Sequence, residues 1–224
     1  GYDIVCSAVT SNAIAVINSY SAQFAEETYR YFKELGFEYM QFIPCVETDP
    51  DNPKASASFS VSSEQYGKFL CDLFDLWEAD WKDGKPTTSV RTLDTFMGMY
   101  LGNESAECPY RHTCGDYLVV EHNGDVYSCD FFVEDAWRLG ALDDGTTLQE
   151  KLNGNRQRLF ARMKSRISDT CLRCPWLTLC YGGCTKDRIR DPRDKRQNHF
   201  CEAYKTFHAY TSERFKALAK DFTK

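Results

Sequence analysis

The chain has 224 residues, 42% of them hydrophobic and 27% charged, which supplies enough apolar material for an ordinary core and excludes disorder as its main state. Lys and Arg number 27 against 33 Asp and Glu, so the net charge of -6 leaves no basic excess for a phosphate backbone, and we expect no nucleic-acid partner. No apolar run reaches the roughly 18 residues of a membrane span, and the first residues do not resemble a secretory signal, so we expect no membrane contact and a cytoplasmic location.

Two strands and a helix are predicted for the first 45 residues. The β-branched segment Tyr2–Val9 predicts a strand, and Thr10-Ser11-Asn12 predicts the cap of a following helix. Apolar spacing predicts that helix from about Ala22 to Leu35, and Phe37–Cys45 predicts a second strand. A β-α-β unit of this length implies parallel strands with a right-handed crossover, and therefore an α/β sheet or barrel. Because two parallel strands are too few for a domain, we expect the closing part of a larger unit.

Further helices and a hairpin follow an acidic, Pro-containing loop over residues 46–57. Helical spacing predicts a helix from Ser63 to about Trp81, with its aromatic stripe in the core, and another helix near Asp94–Tyr100. Next, Tyr117–Glu121 and Val126–Phe132 predict a β-hairpin with an Asn-Gly turn, one of the most specific short-range signals in a sequence.

The last third of the chain predicts two longer helices, one from Leu148 to Met163 and one from Glu202 to the end. The run TKDRIRDPRDKR, which starts at Thr185, alternates in charge and predicts a solvated face. The cysteine density rises after residue 105, so we expect one domain over residues 1–105 and a second over residues 106–224.

Cysteine is the unusual residue, with 11 copies in the chain. Cys6, Cys45 and Cys71 stand alone, and we expect them to be small buried hydrophobes. The other eight suffice for two sites of four ligands, and they are Cys108, Cys114, Cys129, Cys171, Cys174, Cys180, Cys184 and Cys201. In this group Cys171 and Cys174 form a C-x2-C pair, the spacing that lets successive thiolates turn back on one inorganic centre.

Three interpretations of these eight cysteines compete. Disulfides require an oxidising compartment, for which the sequence gives no sign. Structural zinc fits the count, and on spacing alone it is the favoured interpretation. Iron-sulfur clusters use the same four thiolates, so spacing cannot separate them from zinc.

A longer pattern separates these interpretations. The segment CGDYLVVEHNGDVYSCDFFVEDAWRLG, followed by CLRCPWLTLCYGGCTKDR, closely resembles the C-terminal SPASM domain of radical SAM enzymes, and among them the anaerobic sulfatase-maturating enzymes. Upstream, DIVCSAVT and YMQFIPCVE resemble the last strands of that family's partial TIM barrel, so the resemblance covers nearly the whole chain. It implies an α+β fold, in which the C-terminal end of a partial (β/α) TIM-type barrel precedes a SPASM iron-sulfur domain with a β-hairpin and helices.

The resemblance also implies roles for individual residues. Its pattern assigns one auxiliary [4Fe-4S] cluster to Cys108, Cys114, Cys129 and Cys184. It assigns a second auxiliary cluster to Cys171, Cys174, Cys180 and Cys201. Asp130 matches the position of the family's base, which removes a proton from the substrate side chain. In an extended strand, neighbouring side chains face opposite ways, so Cys129 can face a cluster while Asp130 faces a cavity. We expect the anionic cluster to raise the proton affinity of that carboxylate.

The reaction implied by the resemblance is oxidation of a Cys or Ser in a sulfatase polypeptide to Cα-formylglycine. In that reaction a radical derived from SAM removes a hydrogen atom from the side-chain Cβ, and the auxiliary clusters accept or relay the second electron. The implied cofactors are two auxiliary [4Fe-4S] clusters, with SAM and a third [4Fe-4S] cluster only in the full-length enzyme. The implied partners are the sulfatase polypeptide and an electron donor such as flavodoxin or ferredoxin, and we expect a monomer.

The sequence departs from the family in one respect, since it contains no C-x3-C-x2-C motif for the SAM-binding cluster. We therefore expect an excised C-terminal half that does not cleave SAM by itself, with a truncated gene product as the second interpretation. Gln41, Ile43 and Val46 approach the C-terminal end of the second predicted strand, where barrels bind ligands, and are the candidate cofactor-binding residues. The alternative functions are another SPASM peptide maturase and a structural zinc-binding interaction module.

Overall fold

The computed structural model describes residues 10–52, 55–189 and 197–222, so the predicted strand Tyr2–Val9 and its Cys6 lie outside the described residues. The protein mixes strands and helices, in agreement with the predicted α+β class. The strands are β1 Asn12–Ile17, β2 Tyr39–Pro44, β3 Trp81–Lys82, β4 Lys85–Pro86, β5 Ser89–Val90, β6 Val119–Val120, β7 Asp125–Tyr127 and β8 Arg138–Ala141. The helices are α1 Ala25–Glu34, α2 Ser63–Ala79, α3 Arg91–Tyr100, α4 Leu148–Leu152, α5 Asn155–Lys164, α6 Asp169–Leu172, α7 Leu177–Cys180, α8 Thr185–Ile189 and α9 Cys201–Phe222.

The first sheet has three parallel strands in the order β1-β2-β5. The prediction that Thr10-Ser11-Asn12 caps a helix is wrong, because Asn12 begins strand β1 and pairs in parallel with Tyr39 of β2. The segment NAIAVI alternates buried and more exposed side chains, with Ala13 and Ile17 buried and Ile14 and Val16 exposed, as expected for a strand with one covered face. A parallel β-α-β unit is therefore present, with β1, α1 and β2 as its members, but its first strand is Asn12–Ile17 rather than the predicted Tyr2–Val9.

Contacts among the described residues divide the chain into two compact units. The first comprises the described residues within 1–107 and 199–224, and the second those within 108–189 and 194–198. Helix α9 therefore belongs to the first unit, although the sequence-based division assigned residues 106–224 to one domain.

An aromatic core fills the first unit. A capping box starts α2, where Ser62 Oγ accepts from the backbone N of Gln65 and the Gln65 side chain accepts from the backbone N of Ser62. The predicted aromatic stripe of α2 is buried and packs against α9, with the ring centroids of Phe74 and Phe215 4.8 Å apart. Trp77 is fully buried, and its indole N–H donates to the carbonyl oxygen of Thr88 at 3.1 Å.

The predicted hairpin opens the second unit. Strands β6 and β7 are antiparallel, and Gly124 occupies the turn with φ 85°, the left-handed region in which glycine is favoured. The second strand ends at Tyr127, earlier than the predicted Phe132, and Asp130–Phe132 forms a 3-10 turn. Strand β8 adds a third antiparallel strand beside β7.

The helix predicted from Leu148 to Met163 is divided into α4 and α5. Gly154 has φ -71° and ψ 162°, an extended conformation that interrupts the helical hydrogen bonding. Helix α4 begins at a capping box between Thr147 and Glu150, so the two helices have separate starts. The break makes α5 a separate helix, and its residues Gln157 and Lys164 contact the cysteine loops described below. None of the described helices is long and apolar enough to cross a membrane.

Candidate metal centre

One buried lysine connects the loops that carry Cys108 and Cys184. The ammonium of Lys164, at the end of α5, donates to the carbonyl oxygen of Pro109 at 2.8 Å and to that of Gly183 at 2.6 Å. Pro109 directly follows Cys108, and Gly183 directly precedes Cys184. Two cysteines that lie 76 positions apart in the sequence are thus brought to the same place by one side chain.

Helix α5 also fixes the loop after Cys114. The buried amide of Gln157 donates to the carbonyl oxygens of Gly115 and Tyr117, at 3.0 and 3.1 Å. Gly115 has φ 93°, and a Cβ there would lie 3.3 Å from both Ala161 and Gln157, so a side chain has neither the conformation nor the space. The Sγ of Cys114 lies 4.0 Å from the hydroxyl of Thr185, the residue after Cys184.

Cys129 completes the group from the end of the hairpin. It is extended, with φ -165°, and is buried in a small apolar cluster with Phe132 and Phe160. The side chain of Cys114 packs against the same cluster. In the described structure Lys164 thus joins the loops of Cys108 and Cys184, and this cluster brings Cys114 next to Cys129, so the first predicted set lies in one region as two linked pairs.

A left-handed loop separates Cys180 from Cys184. Tyr181, Gly182 and Gly183 have φ values of 43°, 74° and 65°, a run of positive values that two glycines make accessible. The guanidinium of Arg188 donates to the carbonyl oxygens of all three residues, at 2.7, 2.8 and 3.3 Å respectively. A Cβ at Gly182 would lie 2.7 Å from Nη2 of Arg188, so this close approach requires glycine.

The second predicted set has three members in the same unit. Ser168 Oγ accepts from the backbone N of Cys171, and the N of Cys174 donates to the carbonyl oxygen of Cys171 at 3.0 Å, so the C-x2-C pair forms a tight turn. Cys180 ends helix α7, and its carbonyl oxygen accepts from the N of Gly183. Cys201, the fourth member, is the first residue of α9 in the other unit.

The charges around these cysteines are unusual. Lys164 is fully buried and Arg188 is 3% exposed, yet neither pairs with a carboxylate anywhere in the part of the chain that the structure describes. Burial lowers the pKa of Lys164, and nearby Cys114, Cys184 and Cys108 oppose that shift as thiolates. A buried cation without an opposite charge is costly, so this environment is suited to thiolates or to an anionic centre that they bind.

Two of the buried thiols, those of Cys184 and Cys129, keep their protons without such a centre. Burial raises the pKa of Cys184 to about 12 and that of Cys129 to about 11. Metal binding requires thiolates, so it must displace protons from these groups. Among the described residues, no group of three or more His, Cys, Asp or Glu side chains already forms a site for a single metal ion.

Asp130 is exposed at the edge of this region. The hydroxyl of Tyr117 donates to its Oδ1 at 2.8 Å and lies 3.2 Å from the Sγ of Cys129. Tyr117 thus contacts both the predicted ligand and the predicted base, and the Sγ of Cys129 lies 3.3 Å from the same Oδ1. The expectation that the two side chains face opposite ways is wrong, because Asp130 begins a 3-10 turn and does not continue an extended strand. Burial and these two neighbours raise the pKa of Tyr117 above its usual value, so the phenol remains a donor.

The predicted cofactor-binding residues lie on or after β2, in the first unit. Gln41 and Ile43 are half-buried, whereas Val46 is fully buried. A cavity of about 480 Å³ lies at the opposite, amino ends of the parallel strands, next to Asn12 and Tyr39. It is therefore distinct from the strand end to which the candidate residues belong.

Two features escaped the sequence analysis. The start of the run TKDRIRDPRDKR does not form a solvated face, because Thr185, Lys186, Asp187 and Arg188 are all buried, and its residues 190–196 lie outside the described residues. Lys164 also had no distinguishing mark in the sequence. Of the isolated cysteines, Cys45 and Cys71 are half-buried rather than buried.

Comparison with known proteins shows which proteins this chain is similar to. Residues 108–175 match the SPASM family, an iron-sulfur cluster-binding domain. The chain is 35% identical over 214 residues to a cysteine-type anaerobic sulfatase-maturating enzyme of Clostridium perfringens, covering 95% of this chain and 57% of that protein. It is 32% identical over 226 residues to a serine-type anaerobic sulfatase-maturating enzyme of Bacteroides thetaiotaomicron, covering 94% and 54%.

Solved structures agree with this similarity. The structure of native anSMEcpe with bound AdoMet superposes with a TM-score of 0.81 at 33% identity, covering 93% of this chain and 56% of that one. The same protein with bound AdoMet and a Cp18Cys peptide gives a TM-score of 0.81, covering 94% and 58%. The chain spans a little over half the length of the relatives that it matches.

The matched domain identifies the class as proteins with a SPASM iron-sulfur domain. Within that class, the chain is similar over nearly its whole length to the anaerobic sulfatase-maturating enzymes, of which it spans a little over half.

Proposed function

We propose that this chain is the cluster-bearing part of a radical SAM enzyme that oxidises a Cys or Ser of a sulfatase to Cα-formylglycine. The observation that carries the proposal is the convergence of Cys108, Cys114, Cys129 and Cys184 beside the unpaired buried charge of Lys164. The named relatives and the SPASM match add the reaction class.

In this proposal, the four converging cysteines hold the first auxiliary [4Fe-4S] cluster. Cys171, Cys174 and Cys180, with Cys201 as assigned by the family pattern, hold the second. When bound, such clusters supply a one-electron acceptor that can relay the electron released by substrate oxidation. The chain supplies eight thiolates and the hydrogen bonds that orient the loops carrying them.

Asp130 is the proposed base. Its carboxylate is exposed, and its Oδ1 accepts from Tyr117, which leaves lone pairs for a proton of the substrate side chain. The Tyr117 hydrogen bond holds the carboxylate beside Cys129. Proton removal would therefore occur next to the ligand of the first cluster.

The remaining parts of the proposal concern the first unit and the partners. The parallel sheet β1-β2-β5 would be the closing part of a partial barrel, with Gln41 and Ile43 toward its ligand-binding end. The substrate would be a sulfatase polypeptide, and the electron donor would be a flavodoxin or ferredoxin acting on a monomer. The third cluster and SAM would belong to a longer form of the protein.

The decisive experiment is anaerobic purification followed by iron, sulfide and zinc analysis. We expect a brown protein with broad absorption near roughly 400 nm and two iron-sulfur clusters for each chain. A colourless protein that contains zinc and no sulfide would instead support a zinc-binding interaction module. The chain alone, mixed with SAM and a strong reductant, should yield no 5′-deoxyadenosine.

Substitution of Cys184 tests the ligand assignment. Cys184→Ser should deplete the first cluster, whereas Cys45→Ser, outside both sets, should leave the iron content unchanged. Full iron occupancy of both sites in Cys184→Ser would refute the assignment.

Substitution of Asp130 tests the base in a longer form that binds SAM. Asp130→Asn should keep SAM cleavage and lose formylglycine, while Asp135→Asn, the same change at an exposed aspartate five residues on, should keep both. Undiminished formylglycine formation by Asp130→Asn would exclude the assigned role.

A further inference from the structure

The most unusual feature of the second unit is its pair of buried cations. Lys164 is fully buried and Arg188 is 3% exposed, and both extend among the cysteines without a carboxylate partner in the described residues. Lys151 shows the ordinary arrangement in the same unit, since it is 5% exposed and pairs with Asp144 at 2.6 Å. Because uncompensated buried charge is strongly unfavourable, the two unpaired cations need an explanation.

The positions of the two cations differ. Lys164 donates to the peptides next to Cys108 and Cys184, so it lies against the first set of cysteines. Arg188 spans the loop between Cys180 of the second set and Cys184 of the first, donating to the carbonyl oxygens of that loop. Cys171 and Cys114, one from each set, are also close enough to Arg188 to interact with its charge.

Backbone carbonyls satisfy the hydrogen bonds of these cations but not their charge. Arg188 has five carbonyl acceptors, of Tyr181, Gly182, Gly183, Lys164 and Arg166. The charge itself remains available to any anionic centre held by the surrounding thiolates. The reduction potential of an iron-sulfur cluster depends on the charge around it, since reduction adds one negative charge to the centre.

From this geometry we propose that Lys164 and Arg188 are the built-in counter-charge of the auxiliary clusters and raise their reduction potentials. Lys164 acts mainly on the first cluster, and Arg188 acts on both because it lies between the two sets. The cations favour acceptance of an electron by stabilising the reduced, more negative centre. The inference rests on the proposed function in one respect, namely that the thiolates hold iron-sulfur clusters.

The test is a potentiometric titration of the cluster-loaded chain, in which EPR spectroscopy measures the reduced fraction of each cluster. Lys164→Met should lower the midpoint potential of the first cluster, and Arg188→Met should lower both midpoints. We expect at least a tenfold change in the one-electron reduction equilibrium, which corresponds to about 59 mV. Lys151→Met, which removes a similarly buried but paired lysine, should leave both midpoints unchanged, and Lys164→Arg should keep the first midpoint at its wild-type value.

The outcomes separate this inference from the proposed function. A wild-type chain that binds no iron-sulfur cluster would overturn both. A wild-type chain with two clusters whose midpoints are unaffected by either methionine variant would overturn the inference alone. If the methionine variants bind no cluster, the charge-conserving variants Lys164→Arg and Arg188→Lys decide the question. Clusters that load with wild-type midpoints in these variants support a requirement for the positive charge. Failure to load shows that the shape of the side chain and not its charge is needed, which contradicts the inference.

Discussion

The two compact units are built on opposite physical principles. The first buries a continuous set of aromatic rings, in which Phe74, Phe96, Phe207 and Phe215 are each 0% exposed. Among the described residues the second unit buries fewer large apolar side chains, such as Val126, Phe132 and Phe160, and it also buries Lys164 and Arg188 without carboxylate partners. Apolar burial is favourable by itself, whereas buried charge requires an opposite charge.

We expect from this difference that the first unit carries its own stability and that the second gains stability from the proposed inorganic centre. Small domains with too little apolar core commonly obtain stability from metal-ligand bonds, in which binding free energy becomes folding free energy. The two units should therefore respond to different perturbations, and we expect the largest change in stability on removal of iron.

Removal of iron from the cluster-loaded chain should loosen the second unit selectively. We expect a loss on the order of 10 kcal/mol, the scale that structural metal sites reach. Hydrogen exchange should increase in Asn155–Lys164, which bonds to three of the cysteine loops, while Ser63–Ala79 in the first unit remains protected. Equal protection of both helices before and after chelation would contradict the comparison.

The reverse experiment removes part of the aromatic core. Phe74 is fully buried and packs against Trp77, Phe207 and Phe215, so Phe74→Ala should cost about 3–5 kcal/mol of unfolding free energy in the first unit. The control Phe222→Ala, at an exposed helix end, should change it by no more than about 0.5 kcal/mol. Urea unfolding followed by tryptophan fluorescence measures both. Loss of bound iron from a folded Phe74→Ala chain would show that iron binding by the second unit depends on the core of the first.

Acid should weaken the first unit through His208. This residue is fully buried between aromatic rings, with its ring centroid 4.8 Å from that of Phe96, and burial lowers its pKa from 6.5 to about 3. Below pH 6.5 the histidine therefore binds a proton in the unfolded state but stays neutral in the folded state. Its contribution to the free energy of unfolding is complete above pH 6.5 and is lost as the pH falls toward 3.

The expected loss from this residue is about 1.4 kcal/mol on lowering the pH from 7.5 to 5.5. His208→Phe should reduce the pH dependence by that amount, whereas His122→Phe, at a largely exposed position, should not. Parallel pH profiles of unfolding free energy for wild type and His208→Phe would refute the assignment.

The smallest effect is expected at the start of α2. Ser62→Ala removes the acceptor for the N–H of Gln65 and should cost about 1 kcal/mol, while Ser62→Thr should retain most of the cap. Chemical denaturation of the first unit provides the measurement. A Ser62→Ala chain as stable as Ser62→Thr would indicate that this unit does not depend on its helix cap.

The parts of the fold that were predictable have local causes. The hairpin turn follows from Asn123-Gly124, because the turn needs a residue with positive φ, and α2 follows from its aromatic spacing. The start of β1 was mispredicted because Ser and Asn also precede strands, so these residues alone do not distinguish the two. The break at Gly154 was missed because apolar spacing continues across it.

Of the candidate site, only the cysteine ligands were predictable from the sequence. Cysteine spacing and the family resemblance supplied two sets of thiols, but they supplied neither Lys164 nor Arg188. A lysine at the end of a helix and an arginine in a mixed-charge run have the same local sequence whether exposed or buried. Their burial depends on tertiary contacts with Pro109 and with residues 181–183, which no local pattern encodes.

The contacts of Arg188 also bear on how this region can change over evolutionary time. Its five acceptors are main-chain oxygens, so the side chains at Tyr181 and Arg166 can be exchanged without loss of the bonds. Gly182 has no such freedom, since a Cβ would collide with the guanidinium. Related sequences should therefore drift at positions 181 and 166 while Gly182 and Arg188 change only together.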